Sequence, residues 1–357
     1  MSNAPIEIRE LYKIFGTKAA KYVDAVKSGA TKVQLGREHK VVLALNNISI
    51  TMPAGKIQVV MGLSGSGKST LIRHINRLIE PTSGSIVVDG ADILKMGEKE
   101  LREFRRNRTA MVFQKFALLP HWTVIENVTF GLQVRGMPKA KARDVGMTWI
   151  ERVGLQGFDA RYPDELSGGM QQRVGLARAL SNDAPILLMD EAYSALDPLI
   201  RTDMQTLLLN LQTEIKKTIV FITHDPDEAL KLGDRIVILR DGSIVQQGDS
   251  QDILLKPADD YIARFVKDVN RGRFIKVDSV MKPNAGTEQG LRPRVRSGTT
   301  LEAAARELTT GGFGEAIVTD ASGKPLGQIT LRLIAAALDS VTEAPRGATA
   351  PTIEAAA

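Results

Sequence analysis

Gly62-Leu63-Ser64-Gly65-Ser66-Gly67-Lys68-Ser69 decides how this chain is read. The stretch fills every fixed position of the phosphate-loop pattern G-x-x-x-x-G-K-[ST]. Ile57-Gln58-Val59-Val60-Met61 ahead of it has the composition of a buried strand. Thr70 to Ile79 behind it has the spacing of a helix, ended by Pro81. Strand, glycine-rich loop and helix start in that order form a cradle for a polyphosphate. The glycines let backbone N–H groups turn inward, and the helix start adds partial positive charge. Lys68 then reaches the β- and γ-phosphates, and the Ser69 hydroxyl is placed to ligate Mg²⁺.

The rest of the composition limits what surrounds this loop. A length of 357 residues predicts two or three domains. Hydrophobic content of 43% with 25% charged residues fits a globular chain. No apolar run approaches the roughly 20 residues of a membrane span. Met1-Ser2-Asn3-Ala4-Pro5 lacks a basic region followed by an apolar core, so the expectation is a protein that stays in the cytoplasm. With no cysteine, disulfides and thiolate metal sites are excluded. A net charge of +6 is compatible with nucleotide, an anionic membrane face, nucleic acid or plain solvent, and selects none of them.

Outward from the loop, several apolar runs end in polar residues. Thr109-Ala110-Met111-Val112-Phe113 delivers Gln114, and Ile186-Leu187-Leu188-Met189 delivers Asp190 and Glu191. Thr218-Ile219-Val220-Phe221-Ile222-Thr223 delivers His224. Ligands of open α/β sheets bind beyond the carboxyl ends of the strands, so these four residues and the glycine loop belong at one site. Two carboxylates at a buried strand end are costly to desolvate, which argues for function. Asp190 suits a Mg²⁺ ligand acting through water, and Glu191 a group that orients or deprotonates water. Leu166-Ser167-Gly168-Gly169-Met170-Gln171 opens another helix. It fits either a second anion site or a plain N-cap on Ser167. Tyr12 and Phe15 each suit either an adenine face or the core.

Other segments give the layout. Residues 17–40 form a basic insertion, with a helix expected from Lys18 to Lys27. Residues of about 117–180 lack strand runs and read as a helical lobe, whose loop carries Phe116, Leu118, His121 and Trp122 as a partner surface. A helix from Pro257 to Val269 closes the first domain at 270, with Asn270–Arg273 as linker. A small α+β unit follows at 277–339, then an Ala-, Pro- and Thr-rich tail at 341–357 that is expected to be disordered.

These motifs in this order resemble the ATP-binding subunits of ATP-binding-cassette (ABC) transporters, over about residues 6–269. Gly62–Ser69 is similar to Walker A, Gln114 to the Q-loop, and Leu166–Gln171 to the signature motif. Ile186–Asp190 is similar to Walker B, Glu191 to the catalytic glutamate, Ser194–Asp197 to the D-loop, and His224 to the switch histidine. By position Phe15 matches the adenine-stacking aromatic. The resemblance implies an α/β fold, with a P-loop nucleotide-binding domain and a helical subdomain. It implies ATP and Mg²⁺ as cofactors. Glu191, His224 and Gln114 would act in catalysis, and Ser69, Gln114 and Asp190 would hold the metal. Nucleotide would be held by Phe15, by Gly62 through Thr70, and by Ser167, Gly168, Gly169, Gln171 and Asp197. Of these, the signature residues Ser167, Gly168, Gly169 and Gln171 would reach the nucleotide of a partner copy in a head-to-tail homodimer.

A narrower resemblance rests on Asn76-Arg77-Leu78-Ile79-Glu80-Pro81-Thr82, on Met189 to Thr202, and on the insertion. These look like the glycine betaine/proline betaine importer ATPases. That implies membrane permease subunits, a periplasmic or lipid-anchored substrate-binding protein, and a place on the cytoplasmic face of the bacterial cell membrane. It implies substrates among glycine betaine, proline betaine, choline and related methylated amines. The 277–339 unit looks like a single CBS motif. A soluble ABC ATPase acting on nucleic acid or ribosomes is the competing reading. The single uninterrupted cassette argues against it, and no nucleic-acid partner is expected.

Overall fold

The computed structural model describes residues 4–114, 116–283 and 292–339. The tail expected at 341–357 therefore lies outside the described residues. The chain divides into two compact units, Met1–Gln247 and Gly248–Ala357.

The first unit runs β1 (Ile6–Phe15), α1 (Val23–Lys27), α2 (Lys32–His39), β2 (Val42–Met52), β3 (Ile57–Met61), α3 (Lys68–Ile75), β4 (Ser83–Val88) and β5 (Ala91–Asp92). It continues with α4 (Glu98–Asn107), β6 (Thr109–Val112), α5 (Val124–Val134), α6 (Lys139–Arg152), α7 (Gly168–Ser181) and β7 (Ile186–Asp190). It closes with α8 (Pro198–Ile215), β8 (Thr218–Thr223), α9 (Pro226–Leu232), β9 (Arg235–Arg240) and β10 (Ser243–Gly248).

Two sheets share one core. The larger has the order β10-β9-β3-β8-β7-β6, and β9, β3, β8, β7 and β6 run parallel to one another. Every residue of β3, β7 and β8 is buried, as parallel strands covered on both faces require. The smaller sheet, β2-β1-β4-β5, is antiparallel. Leu71, Ile72 and Ile75 of α3 pack between Ile8, Leu45 and Ile86 of the small sheet and Val60, Leu188 and Ile222 of the large one. Helix α3, the direct continuation of the glycine loop, is thus locked from both sides.

The helical lobe has its own core, built from Val124 and Val128 of α5, Ile150 of α6 and Val174 of α7. The insertion has a third, in which Val23, Val26 and Leu35 cover Tyr12, Ile14 and Leu43. Tyr12 is therefore core, while Phe15 is 40% exposed.

Three local expectations are corrected. Helix α3 stops at Ile75, short of Ile79, because Arg77 turns left-handed (φ 49°) and Leu78 N–H bonds back to Arg73 O. The insertion begins with a 3₁₀ turn at Ala19–Tyr22 and carries a second helix, α2, with a capping box between Thr31 and Gln34. Pro257–Val269 is not one helix, since only Asp260–Phe265 is helical there, capped by Asp259.

The second unit runs α10 (Ser250–Leu255), α11 (Asp260–Phe265), β11 (Lys282–Pro283), β12 (Arg294–Arg296), α12 (Leu301–Thr310), β13 (Glu315–Thr319), β14 (Pro325–Thr330) and α13 (Leu331–Asp339). Its sheet order is β11-β14-β13-β12, so β12 to α13 is a βαββα unit. The division at Gly248 falls ahead of the linker expected at 270–273. Gln251 explains it: its side chain donates to Phe274 O at 2.8 Å and accepts from Lys276 N at 3.0 Å. Those bonds tie α10 to the segment beyond Arg273.

Candidate functional site

The glycine loop is shaped by its neighbours. Gly62 (φ 152°) has no room for a Cβ, which would stand 2.3 Å from Leu239 O. A Cβ on Gly67 (φ 102°) would also be too close to backbone, at 2.7 Å from Ala44 O. Both positions need glycine for conformation and for space. The Asp241–Gly242 turn between β9 and β10 supports the loop, with Gly242 N–H donating to Ser66 O at 3.1 Å. The Ser66 Oγ is buried and has no hydrogen-bond partner among the described residues.

Lys68 is only 4% exposed. Its Nζ donates to Gly62 O at 2.8 Å and Leu63 O at 3.1 Å. Burial pushes its pKa below the usual lysine value, and the charges of Glu191 and Asp190 act against that. Ser69 donates to Asp190 at 2.8 Å, and Arg73 stands 3.3 Å from the other oxygen of the same carboxylate.

Glu191 is where the motifs meet. Its carboxylate lies 3.6 Å from Lys68 Nζ, 3.4 Å from the Gln114 amide and 3.7 Å from His224 Nδ1. The topology explains this meeting. Lys68, His224, Glu191 and Gln114 follow the C-terminal ends of β3, β8, β7 and β6, which are successive parallel strands of one sheet. The Glu191 backbone is left-handed (φ 47°), a strained state for a residue with a side chain. Its N–H bonds to Ile222 O on β8, which holds the turn.

A cavity of about 220 Å³ adjoins these groups. Ser64, Gly65, Gly67, Lys68, Ser69, Thr70 and Glu191, all among the expected site residues, line it. Lys32, Val42, Leu43 and Ala44 line it too, and sequence reasoning assigned them no role there. Among the described residues no group of three or more His, Cys, Asp or Glu could hold a metal. Ser69 and Asp190, a hydroxyl and a carboxylate already joined by a hydrogen bond, are a pair of oxygen donors that could hold one. That set suits Mg²⁺, which takes few protein ligands and shares the rest with phosphates and water.

The remaining predicted residues do not line this cavity. Ser167 caps α7, accepting from Met170 N–H at 3.4 Å. The Gln171 amide is turned onto its own loop, donating to Pro163 O and Leu166 O. Asp197 caps α8 through Ile200 N–H at 3.1 Å. A Cβ on Gly169 would touch Ile200 Cγ2 at 2.5 Å, so the starts of α7 and α8 lie side by side. Phe15 carries the Lys13 ammonium 4.7 Å above its ring.

A clamp that no motif marks lies beside the cluster. Arg201 donates to Leu196 O at 3.1 Å and to Asp225 at 3.2 Å, joining the D-loop-like segment to the residue after His224. Behind it, burial raises the Glu228 carboxyl pKa, against hydrogen bonds from Thr223 and Gln205.

A larger groove of about 680 Å³ lies beside β6 and the helical lobe. Leu78, Phe113, Phe130 and Val134 contribute exposed apolar surface to it. The expected partner surface is corrected in part. Leu118 packs into the helical-lobe core, and Trp122 sits edge-on against Phe130. The neighbours Ala117 and Leu119 face the groove instead. Phe113 directly precedes Gln114, so the groove and the Glu191 cluster share one strand end.

Comparison with known proteins agrees with this geometry. The profile of the "ABC transporter" family matches residues 45–194. The glycine betaine transport ATP-binding protein OpuAA of Bacillus subtilis (strain 168) is 49% identical over 290 residues, covering 81% of this chain and 69% of that protein. The trimethylamine N-oxide transport system ATP-binding protein TmoW of Pelagibacter ubique is 44% identical over 330 residues, covering 92% and 96%. A dimeric post-hydrolysis structure of the ATP-binding cassette MJ0796, bound to ADP and Pi, superposes with a TM-score of 0.59 at 31% identity. It covers 69% of this chain and 98% of that one. No helix among the described residues is long and apolar enough to cross a membrane. The chain belongs to the ABC transporter ATP-binding proteins, alongside those of the glycine betaine/proline betaine type.

Proposed function

We propose that this chain is the ATP-hydrolysing subunit of an importer for a methylated amine, with glycine betaine and trimethylamine N-oxide as the leading substrates. The observation that carries the ATPase part is the meeting of Lys68, Gln114 and His224 on the Glu191 carboxylate. A carboxylate held there in a strained backbone is placed to orient or deprotonate an attacking water. Gly62–Thr70 would hold the phosphates, Ser69 and Asp190 the Mg²⁺, with Gln114 beside them. Bound Mg²⁺ would offset phosphate charge.

Ser167–Gly169 and Asp197 stand outside the pocket of their own chain. This supports a homodimer in which they complete the pocket of a second copy. Leu199, 72% exposed beside Asp197, fits such an interface. The apolar groove fits a permease segment, which would place the chain on the cytoplasmic face of the membrane. A substrate-binding protein would select the amine. The βαββα unit is read as a single CBS-like module that adds dimer contacts.

The test is a complex reconstituted with a betaine-type permease and its substrate-binding protein. Its ATPase activity and uptake should rise with glycine betaine or trimethylamine N-oxide. Stimulation by neither amine, with ATP still hydrolysed, would reject the substrate class and leave the ATPase assignment standing.

A further inference from the structure

We propose that Lys32, on the inserted helix α2, is a further ligand for the phosphates of a nucleoside di- or triphosphate. The proposal rests on the reading that Gly62–Thr70 holds ATP, and extends it to a segment outside the shared motifs. The insertion leaves β1 after Phe15 and returns at Val42, and those two residues are cross-strand partners. Both ends of the insertion therefore meet at the strand that walls the pocket. Helix α2 is fixed there. Thr31 N–H donates to Gln34 Oε1 at 2.8 Å, and Gln34 N–H donates to Thr31 Oγ1 at 3.2 Å. Leu35, 2% exposed, anchors the helix in the same cluster as Val41 and Leu43.

That anchoring puts Lys32 in the lining of the cavity that Ser64, Gly65, Lys68 and Thr70 also line. Its Nζ stands 3.8 Å from Asp241. Asp241 opens the turn whose Gly242 N–H supports Ser66 O in the glycine loop. The one described ion pair of Lys32 is thus made with the loop's own support. The Asp241 side chain is 76% exposed, so the pair is weak and readily exchanged. A polyphosphate in the pocket carries more charge and stands in a less hydrated place. Lys32 then trades Asp241 for phosphate. An ammonium recognises phosphate charge and not the base, so the contact favours ATP and ADP over adenosine.

The experiment is equilibrium titration of the full chain with ATP, ADP and adenosine, alongside steady-state ATPase kinetics. Lys32→Ala should weaken ATP and ADP binding about fivefold, with the loss in KM rather than kcat. Adenosine binding should not move. Lys32→Arg should keep most of the affinity, and the salt dependence of ATP binding should be shallower in Lys32→Ala than in wild type. Asp241→Asn, a residue that tolerates the left-handed turn, should tighten ATP binding about twofold. Wild-type ATP affinity in Lys32→Ala overturns the proposal, and so does an Asp241→Asn that weakens binding as Lys32→Ala does, since the pair would then be a strut. Lys68→Ala separates the two readings. Undiminished ATP binding in that variant would reject the pocket itself.

Discussion

Ser69, at the start of α3, donates a 2.8 Å hydrogen bond to Asp190, at the end of β7. The two oxygen donors proposed for Mg²⁺ are thus aligned by the protein alone. Removing the hydroxyl takes away one ligand and the group that orients the other. We predict that Ser69→Ala raises the Mg²⁺ needed for half-maximal ATP hydrolysis by about tenfold or more. Ser69→Thr should restore it. A Mg²⁺ titration superposable on wild type would move the metal elsewhere.

Glu191→Gln keeps the shape of the side chain and removes its charge. It should bind MgATP yet lose turnover by roughly 10²–10⁴-fold, the usual worth of a positioned acid–base group. Single-turnover and steady-state hydrolysis measure this. A variant within a few fold of wild type would mean that Glu191 only braces Lys68, Gln114 and His224.

The proposed partner contact at the start of α7 has a clean probe in Gly168. Among the described residues a Cβ there meets only Phe116 Cζ, at an ordinary 3.8 Å, whereas one on Gly169 collides with Ile200. Gly168→Asp therefore adds charge without disturbing the fold. It should abolish hydrolysis through repulsion of the partner's ATP, while ATP binding by the monomer stays near wild type. Gly168→Ala should remain active. Equal loss of binding and hydrolysis in the aspartate variant would place the site within one chain.

Much of the centre was legible in the chain because strand and function coincide there. Each of Gln114, Asp190, Glu191 and His224 follows an apolar run long enough to be a buried strand, and parallel strands put such ends together. What stayed hidden lacks that coupling. Lys32 sits in a polar helix whose only buried residue is Leu35, so periodicity says little about where it points. The left-handed turn at Arg77 that shortens α3 is set by bonds back to Arg73, and no glycine marks it. The groove residues Phe130 and Val134 lie on α5, and only packing shows which face that helix leaves open.

Acid stability should depend on His74. The ring is fully buried on α3, with Nδ1 2.6 Å from Thr70 O. Burial holds its pKa below the ordinary 6.5. The folded state keeps it neutral, while the unfolded chain takes up a proton below about pH 6.5. Its contribution is therefore complete above that pH and is lost as pH falls through it, at up to about 1.4 kcal/mol per pH unit. Glu228 has the opposite sign: its raised pKa makes stability fall as pH rises. Comparing denaturation of wild type and His74→Leu from pH 7.5 to about 5.5 isolates the histidine. The variant should be flatter on the acid side. Parallel curves would assign the acid sensitivity to other groups.

The rung between Phe15 and Val42 also governs how this chain can change. Once β1 and β2 have zipped, the ends of the insertion are already together. The entropy of closing the excursion then grows only slowly with its length, by about 0.6 kcal/mol per doubling. Segments of different length can be exchanged at this point so long as they cover Tyr12, Ile14 and Leu43 as Val23, Val26 and Leu35 do. The rung is a natural splice junction at the rim of a nucleotide pocket. With Lys32 meeting phosphate as proposed, drift in the excursion would tune the ATP level at which the enzyme works while the sheet and its strand ends stay as they are.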